Sequence, residues 1–183
     1  VTAVKSVAAV GTASIPQAPS PITYTSKTDS KNRLMVEYAM GPMSMSKQVV
    51  TDKAAYMTQQ GQKIDVPAEG LAEAKEAAKF FPELASTAGI LSAIESIDGA
   101  DAYVVENGKI TKYYDVKSGL KVAESVTQEQ GEQKMTVMTS FKEYKEVKGV
   151  KFPFNIVMNV GFDLDVKISE VKVNEGVTDA DFQ

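Results

Sequence analysis

The fold is decided by the segment FPFNIVMNV, residues 152–160, in which large apolar side chains fall on every second residue. The polar or small residues Pro153, Asn155 and Asn159 fall between them. Because successive side chains of a β-strand point to opposite faces of the sheet, this alternation predicts a strand with one apolar face. That face is formed by Phe152, Phe154, Ile156, Met158 and Val160.

Turn signals recur about every ten residues in the part of the chain around this segment. The runs between them, such as 120–126, 135–141 and 164–168, repeat the alternation of apolar and polar residues. Short turns between consecutive strands favour antiparallel pairing, so we predict an antiparallel meander with one large apolar face. The turns are predicted at Asp98-Gly99, Asn107-Gly108, Ser118-Gly119, Gly131, Lys148-Gly149 and Gly161.

The N-terminal part of the chain also favours short strands. Residues 5–15 alternate weakly and are interrupted by Gly11, so a strand there competes with a helix over 1–10. Further along, polar turns and glycines separate short alternating runs. These runs predict strands at 22–28, 34–40, 43–49, 56–60 and 63–66.

One amphipathic helix is predicted between Pro67 and Pro82, and residues 85–89 are expected to add a further helical turn. Its apolar residues follow the spacing of three and four that places side chains on one helix face. A helix between two blocks of strands is either a permanent cover of the apolar sheet or a mobile lid over a pocket. The apolar stripe consists of Leu71, Ala74, Ala78 and Phe81.

The composition limits the possible functions. A chain of 183 residues with 43% hydrophobic content fits one domain, and a net charge of -4 with Arg33 as the sole arginine argues against nucleic-acid binding. The sequence has no histidine and no cysteine, which removes the usual general base, the usual nitrogen and sulfur metal ligands, and the common nucleophile pairs. We therefore expect a protein that is not an enzyme and holds no metal.

Two groups of residues allow a metal-binding interpretation beside a simpler one. Met40, Met43 and Met45 supply thioethers that suit Cu(I), but methionines also fill irregular apolar space. Asp163 with Asp165, and Asp179 with Asp181, suggest calcium, but they lack the glycine-containing loop spacing of such sites. We favour apolar packing for the methionines and solvated carboxylates for the aspartates.

Several motifs resemble the LolA-like outer-membrane lipoprotein-sorting proteins. FKEYKEVKGVKFPF at 141–154, VKVNEGV at 171–177 and DADF at 179–182 resemble the last strands of that family in order and spacing. YDVKSGL at 114–120 and IDGADAY at 97–103 resemble the hairpin and the strand entry that precede them. The resemblance covers most of the chain.

This resemblance implies an α+β, mainly β fold: a half-open antiparallel β-barrel, that is, a strongly curved meander sheet, with a helical lid. It implies a single LolA-like domain over residues 1–183. Such proteins receive acyl chains on the concave apolar face in the bacterial periplasm. We therefore expect a cell-envelope protein, periplasmic or associated with the outer membrane, that binds a hydrophobic small molecule, lipid or lipoprotein acyl chain as a monomer and without a cofactor.

The predicted ligand-binding residues are the apolar residues of the expected cavity wall and lid. The wall takes side chains from the early strands and from the segment 152–160, and the lid takes them from the helix. They are Leu34, Val36, Tyr38, Met40, Tyr56, Leu71, Ala78, Phe81, Phe152, Phe154, Ile156 and Met158.

A second resemblance leaves an alternative open. Residues 49–84 are similar to the non-catalytic C-terminal region that follows insulinase-like zinc peptidase domains in some Bacteroidetes-type proteins. Because the zinc motif of those peptidases needs histidines, this chain would then be an accessory or interaction domain beside an upstream peptidase domain. The LolA family's arginine-proline motif, whose arginine helps latch the lid, has no counterpart here, since KTDSK at 27–31 occupies that region.

Overall fold

A computed structural model describes residues 3–16, 20–59, 61–85, 89–130 and 133–183. In this part of the chain, two helices separate two series of β-strands. The first series comprises β1 (Ser6–Ser14), β2 (Ile22–Asp29), β3 (Arg33–Met40), β4 (Met43–Val50), β5 (Ala55–Gln59) and β6 (Gln62–Asp65). The helices are α1 (Ala68–Ala77) and α2 (Pro82–Ala85). The second series comprises β7 (Ile90–Ile97), β8 (Ala100–Asn107), β9 (Ile110–Asp115), β10 (Lys121–Gln130), β11 (Gln133–Val147), β12 (Val150–Asn159) and β13 (Asp163–Val173).

All of these strands belong to one antiparallel sheet. Its order is β6-β5-β4-β3-β2-β1-β13-β12-β11-β10-β9-β8-β7, so consecutive strands pair within each series and the two series join where β1 pairs with β13. The sheet stays open, because β6 and β7 form its two edges. The predicted mainly-β fold, an open curved meander with a helical lid, is confirmed.

The predicted turns coincide with the observed ones wherever they fall within the described residues. At Asp98-Gly99 and Lys148-Gly149 both central residues have positive φ, which is the backbone twist that a two-residue hairpin turn requires. Gly108, Ser118-Gly119 and Gly161 also lie between consecutive strands, and Asn107 is the last residue of β8. Gly131 and residues 86–88 of the predicted extra helical turn lie outside the described residues.

The two series of strands meet where β1 pairs with β13. The register changes here, because Val10 lies opposite Glu170 whereas Gly11 lies opposite Ile168. A Cβ atom on Gly11 would lie 2.2 Å from the backbone oxygen of Lys167, so the close approach of the two strands requires glycine. The interruption at Gly11 is therefore a β-bulge within a strand, and the alternative of a helix over residues 1–10 is wrong from Ser6 onward.

The sheet has an inner face, which carries the helices, and an outer face. On the inner face, apolar residues from both series of strands pack around a common cluster. Its buried members are Ala13, Ile22, Tyr24, Val166 and Ile168.

The outer face carries a smaller apolar cluster. It contains Met35 and Val49, and the C-terminal 3₁₀ turn Asp179–Phe182 covers it with Phe182. Arg33 holds this turn in place, because its guanidinium contacts both Asp29 and Asp179. The sole arginine of the chain therefore stabilises the outer face of the sheet, opposite the helices.

Two expectations for the deciding segment need correction. Asn155 belongs to the predicted polar face but is buried, because its amide donates hydrogen bonds to the Asp165 carboxylate and to the backbone oxygen of Val166 on the neighbouring strand. Val160 was predicted to extend the apolar face. It instead lies beyond the end of β12 and is exposed, since the chain turns at Gly161.

Candidate functional site

A cavity of about 350 Å³ lies between the inner face and the connection from α1 to α2. We call residues 77–83 of this connection the strap, and every residue of the strap lines the cavity. The wall on the sheet side is mostly hydrocarbon and comes from strands of both series. It consists of Val7, Ala9, Tyr24, Ser26, Thr28, Leu34, Phe141, Phe152, Pro153, Ile156, Ile168 and Val171.

Helix α1 fixes the first end of the strap. Ala78, directly after the helix, is 2% exposed and packs in a cluster with Val50 and Ala55. Leu71 and Ala74 pack against the same cluster, as the helical spacing predicted. The helix begins after Pro67, a residue that lacks an N–H and is favoured at helix starts.

Polar contacts tie the strap to both series of strands. The backbone N–H of Phe80 donates a hydrogen bond to the side-chain oxygen of Asn32, in the turn between β2 and β3, at 2.9 Å. At the other end, Oε1 of Glu83 lies 2.8 Å from Nζ of Lys121 and 3.8 Å from Nζ of Lys112. The strap therefore crosses the cavity and connects the two halves of the sheet.

Phe81 leaves the helical path, although the apolar spacing predicted it on the helix stripe. Its φ is 50°, in the left-handed region that non-glycine residues rarely adopt. The physical reason is Pro82, because a proline disfavours the α-helical conformation of the residue before it. The break places the ring of Phe81 with its centroid 4.5 Å from that of Phe80 and 6.4 Å from that of Phe152.

Four charged side chains form a cluster at the rim of the cavity. Lys121 contacts Glu83 of the strap and also Glu124 of its own strand, and Lys112 is the second cation near Glu83. The side chains of Lys121 and Lys112 are 17% and 18% exposed, whereas that of Glu83 is 35% exposed. The cations therefore lie deeper than the carboxylate from the strap.

The charges in this cluster shift the pKa values of its members. Burial alone would raise the pKa of Glu83, but the charge and hydrogen bond of Lys121 outweigh it and hold the pKa below 4.5. Burial alone would lower the pKa of Lys121, but Glu124 and Glu83 outweigh it and hold the pKa above 10.5. Both groups are therefore charged at neutral pH.

The structure brings five of the predicted ligand-binding residues into the cavity wall, namely Leu34, Ala78, Phe81, Phe152 and Ile156. Five others, Val36, Tyr38, Met40, Phe154 and Met158, pack around the inner-face cluster beside the cavity. Leu71 lies on the side of α1 that packs against Val50 and Ala55. Tyr56 lies on the outer face next to Val49, so its placement in the cavity is corrected.

Sequence reasoning missed much of the wall and the whole charged cluster. The alternation of Val7 with Ala9, and of Val166 with Ile168, indicated apolar strand faces but not which part of a face the strap covers. Glu83, Lys112 and Lys121 are far apart in sequence and carry no local signal. Only the packing of the strap on the sheet brings them together.

The residues considered for metal binding have other surroundings. Met40 and Met45 pack against the inner-face cluster, and Met43 is exposed. Asp179 and Asp181 form ion pairs with lysine or arginine side chains. Across the described ranges, no group of three or more aspartate or glutamate side chains is placed to hold a metal ion.

The described part of the chain contains no helix with the length and apolar character needed to cross a membrane.

The arrangement of strands and helices is shared with solved structures of very different sequence. No protein-family model and no curated protein matches the sequence. A LolA superfamily protein from Nitrosomonas europaea matches with a TM-score of 0.63 and 14% identity, over 98% of this chain and 90% of that one. A putative outer membrane lipoprotein-sorting protein domain from Vibrio parahaemolyticus matches with a TM-score of 0.65 and 11% identity, over 97% and 89%.

A third similar structure is a DUF1329 family protein from Desulfovibrio piger, with a TM-score of 0.68 and 10% identity over 99% of this chain and 90% of that one. These likenesses extend over nearly the whole chain, so the protein has a LolA-like fold. The similarity to the C-terminal region of insulinase-like zinc peptidases stays a prediction.

Proposed function

We propose that this protein binds a hydrophobic ligand, a lipid or the acyl chain of a lipoprotein, in the bacterial cell envelope. The observation that carries the proposal is the half-open apolar cavity of about 350 Å³ between the strap and the inner face. Ligand pockets in proteins have volumes of roughly 300 to 1,000 Å³ and mostly apolar walls, so this cavity is of suitable size and character.

The affinity would come from removing hydrocarbon from water. Each methylene group buried contributes about 0.8 kcal/mol, so a tail of several carbons binds without any catalytic group. The likeness to the Vibrio parahaemolyticus outer membrane lipoprotein-sorting protein domain supports a location in the periplasm or at the outer membrane. The fold and the wall chemistry thus favour a binding protein.

Two measurements test the proposal: identification of a lipid that copurifies with the protein, and uptake of a fluorescent lipid by the delipidated protein. Native mass spectrometry of protein purified without detergent should show a copurified lipid, and delipidated protein should take up a fluorescent fatty acid. Ser26 lines the cavity, so Ser26→Phe should fill part of it and reduce uptake by at least about tenfold. Thr23→Phe is the matched control, because Thr23 lies exposed on the same strand and does not line the cavity.

Uptake that is equal in the wild type and in Ser26→Phe would contradict the cavity as the binding site. A purified protein that carries no lipid and takes up no probe would contradict the proposed function itself and would favour the alternative of an accessory or interaction domain.

A further inference from the structure

Glu83 is the one member of the rim cluster that the strap supplies. Lys112, Lys121 and Glu124 belong to strands β9 and β10 and stay on the sheet when the strap lifts. With Glu83 in place, the two cations face two carboxylates. Without it, the sheet presents two ammonium groups and one carboxylate, so one positive charge lacks a partner.

The depth of the two cations makes this loss costly. Their side chains are less than one fifth exposed with the strap in place, so a cation there is poorly solvated unless an anion accompanies it. A partly buried charge without a partner is strongly unfavourable, and another anion would relieve it. Lys121 keeps its charge at neutral pH, since its carboxylate neighbours raise its pKa.

Lys121 keeps Glu124 as a partner, so Lys112 is the cation that loses its carboxylate, and the position that Glu83 leaves borders the cavity. Nζ of Lys121 lies 4.7 Å from the ring centroid of Phe141, and Phe141 lines the cavity wall. Glu83 lines the same cavity. An anion that replaces Glu83 would therefore lie at the rim, with space for an attached hydrocarbon tail directly beside it.

We propose that the cavity receives an amphiphile with one hydrocarbon tail and an anionic head group, and that the head group replaces Glu83 between Lys112 and Lys121. This inference rests on the proposed function and names its ligand class. A cavity of about 350 Å³ is at the small end of the usual range, which fits one tail rather than two or three. Lys112 and Lys121 then exchange Glu83 for the head group, so binding of the head group and release of the strap occur together.

The test compares oleate with oleyl alcohol, which has the same tail and an uncharged head. The wild type should bind oleate about tenfold more tightly than oleyl alcohol, because a charge-assisted contact is stronger than a neutral one. Lys112→Met should abolish this preference and leave the affinity for oleyl alcohol nearly unchanged. Glu83→Gln should increase the affinity for oleate, because it removes the competing carboxylate.

Lys79→Met is the matched control. Lys79 also lines the cavity, but its ammonium contacts Glu76 on α1 and lies outside the rim cluster, so the preference for oleate should persist. Thermal unfolding of each variant establishes that it is folded. Because Lys121→Met leaves two carboxylates without their cation, Lys112→Met and Glu83→Gln carry the test.

The outcomes separate the two proposals. Equal affinity of the wild type for oleate and oleyl alcohol, or a preference that survives Lys112→Met, would overturn this inference and leave the proposed function standing. Binding of neither ligand would overturn both. A third probe, 1-oleoyl lysophosphatidate, identifies the source of the anion: tighter binding than oleate supports a phosphate head, and weaker binding supports a carboxylate.

Discussion

The rings of Phe81 and Phe152 lie with their centroids 6.4 Å apart and their planes tilted by 45°. This contact joins the strap to the strand that contains the deciding segment. The contact exists because Pro82 ends the helical path just before it would carry Phe81 along the helix face. The ring that closes the cavity is thus positioned by a backbone conformation that is unfavourable for any residue except glycine.

Substitutions of Phe81 test this backbone conformation. Phe81→Ala should cost about 1 kcal/mol, less than the 3 to 5 of a fully buried ring, because the side chain is only half buried. Phe81→Gly should be about 1 kcal/mol more stable than Phe81→Ala, because glycine adopts positive φ without a steric penalty. Urea unfolding of both variants gives the order. The opposite order would show that Phe81 has an ordinary backbone conformation.

A control for the loss of an aromatic ring is Phe162→Ala. Phe162 is exposed in the turn between β12 and β13, so this variant should stay within about 0.5 kcal/mol of the wild type. Phe81→Ala should also release a bound fluorescent fatty acid faster than Phe162→Ala does, because only Phe81 lines the cavity.

The close approach at Gly11 predicts a large effect of one methyl group. Gly11→Ala should lower the free energy of unfolding by about 2 kcal/mol or more, because the new Cβ would overlap the backbone oxygen of Lys167 and force β1 from β13. Thr12→Ala, at an exposed position of the same strand, should cost less than about 1 kcal/mol. Equal stability of Gly11→Ala and the wild type in denaturant unfolding would contradict the observed register.

Arg33 is predicted to matter for stability and not for binding. Arg33→Met should cost about 3 kcal/mol, because it leaves the carboxylate of Asp29, 6% exposed, without its cationic partner. Lys31→Met should cost no more than about 1 kcal/mol, since Lys31 contacts Asp179 on the surface. At a temperature where both variants are folded, ligand affinity should be unchanged. A selective loss of binding in Arg33→Met would place its role on the inner face.

The charged rim predicts how stability depends on pH. The pKa of Glu83 is lowered in the folded protein, so its stabilising contribution is complete above pH 4.5 and is lost as the pH falls through the lowered pKa. The wild type should therefore be more stable than Glu83→Gln at pH 7, and the difference should shrink below pH 4.5. Denaturant unfolding at several pH values measures it.

The tyrosines near the rim do not obscure this comparison. Tyr114 and Tyr144 stay protonated at acidic pH, since burial raises the pKa of both and that of Tyr144 reaches about 12. Acidic residues elsewhere, such as Asp181, titrate in the wild type and in Glu83→Gln alike, so their effects cancel in the difference. A difference that stays constant from pH 7 to below the lowered pKa would show that Glu83 forms no ion pair in solution.

The strands and turns could be predicted because their signals are local. The alternation in 152–160 depends on neighbouring residues only, and positive φ at Gly99 or Gly149 is a property of the turn itself. Tyr56 shows where this reasoning stops. Its face is determined by the pairing of β4 with β5, in which it lies opposite Val49, and alternation within one strand does not give that relation.

The residues that line the cavity were harder to predict than the strands of the sheet. The helix spacing correctly placed Leu71 and Ala78 against the sheet but carried Phe81 one turn too far, because the periodicity contains no information on the break before Pro82. The contact between Glu83 and Lys121 depends on how the strap packs after the sheet has curved. Such contacts arise from tertiary structure alone.

The pairing of β1 with β13 has a consequence for how the protein is made. During synthesis, β1 emerges from the ribosome before the other described strands, and β13 follows after roughly 150 more residues. Until β13 pairs with β1, the two series of strands do not form a continuous cavity wall. The nascent chain therefore has no complete cavity in which a lipid could bind. If the protein binds a lipid as proposed, the cavity can receive it only after β13 has been synthesised.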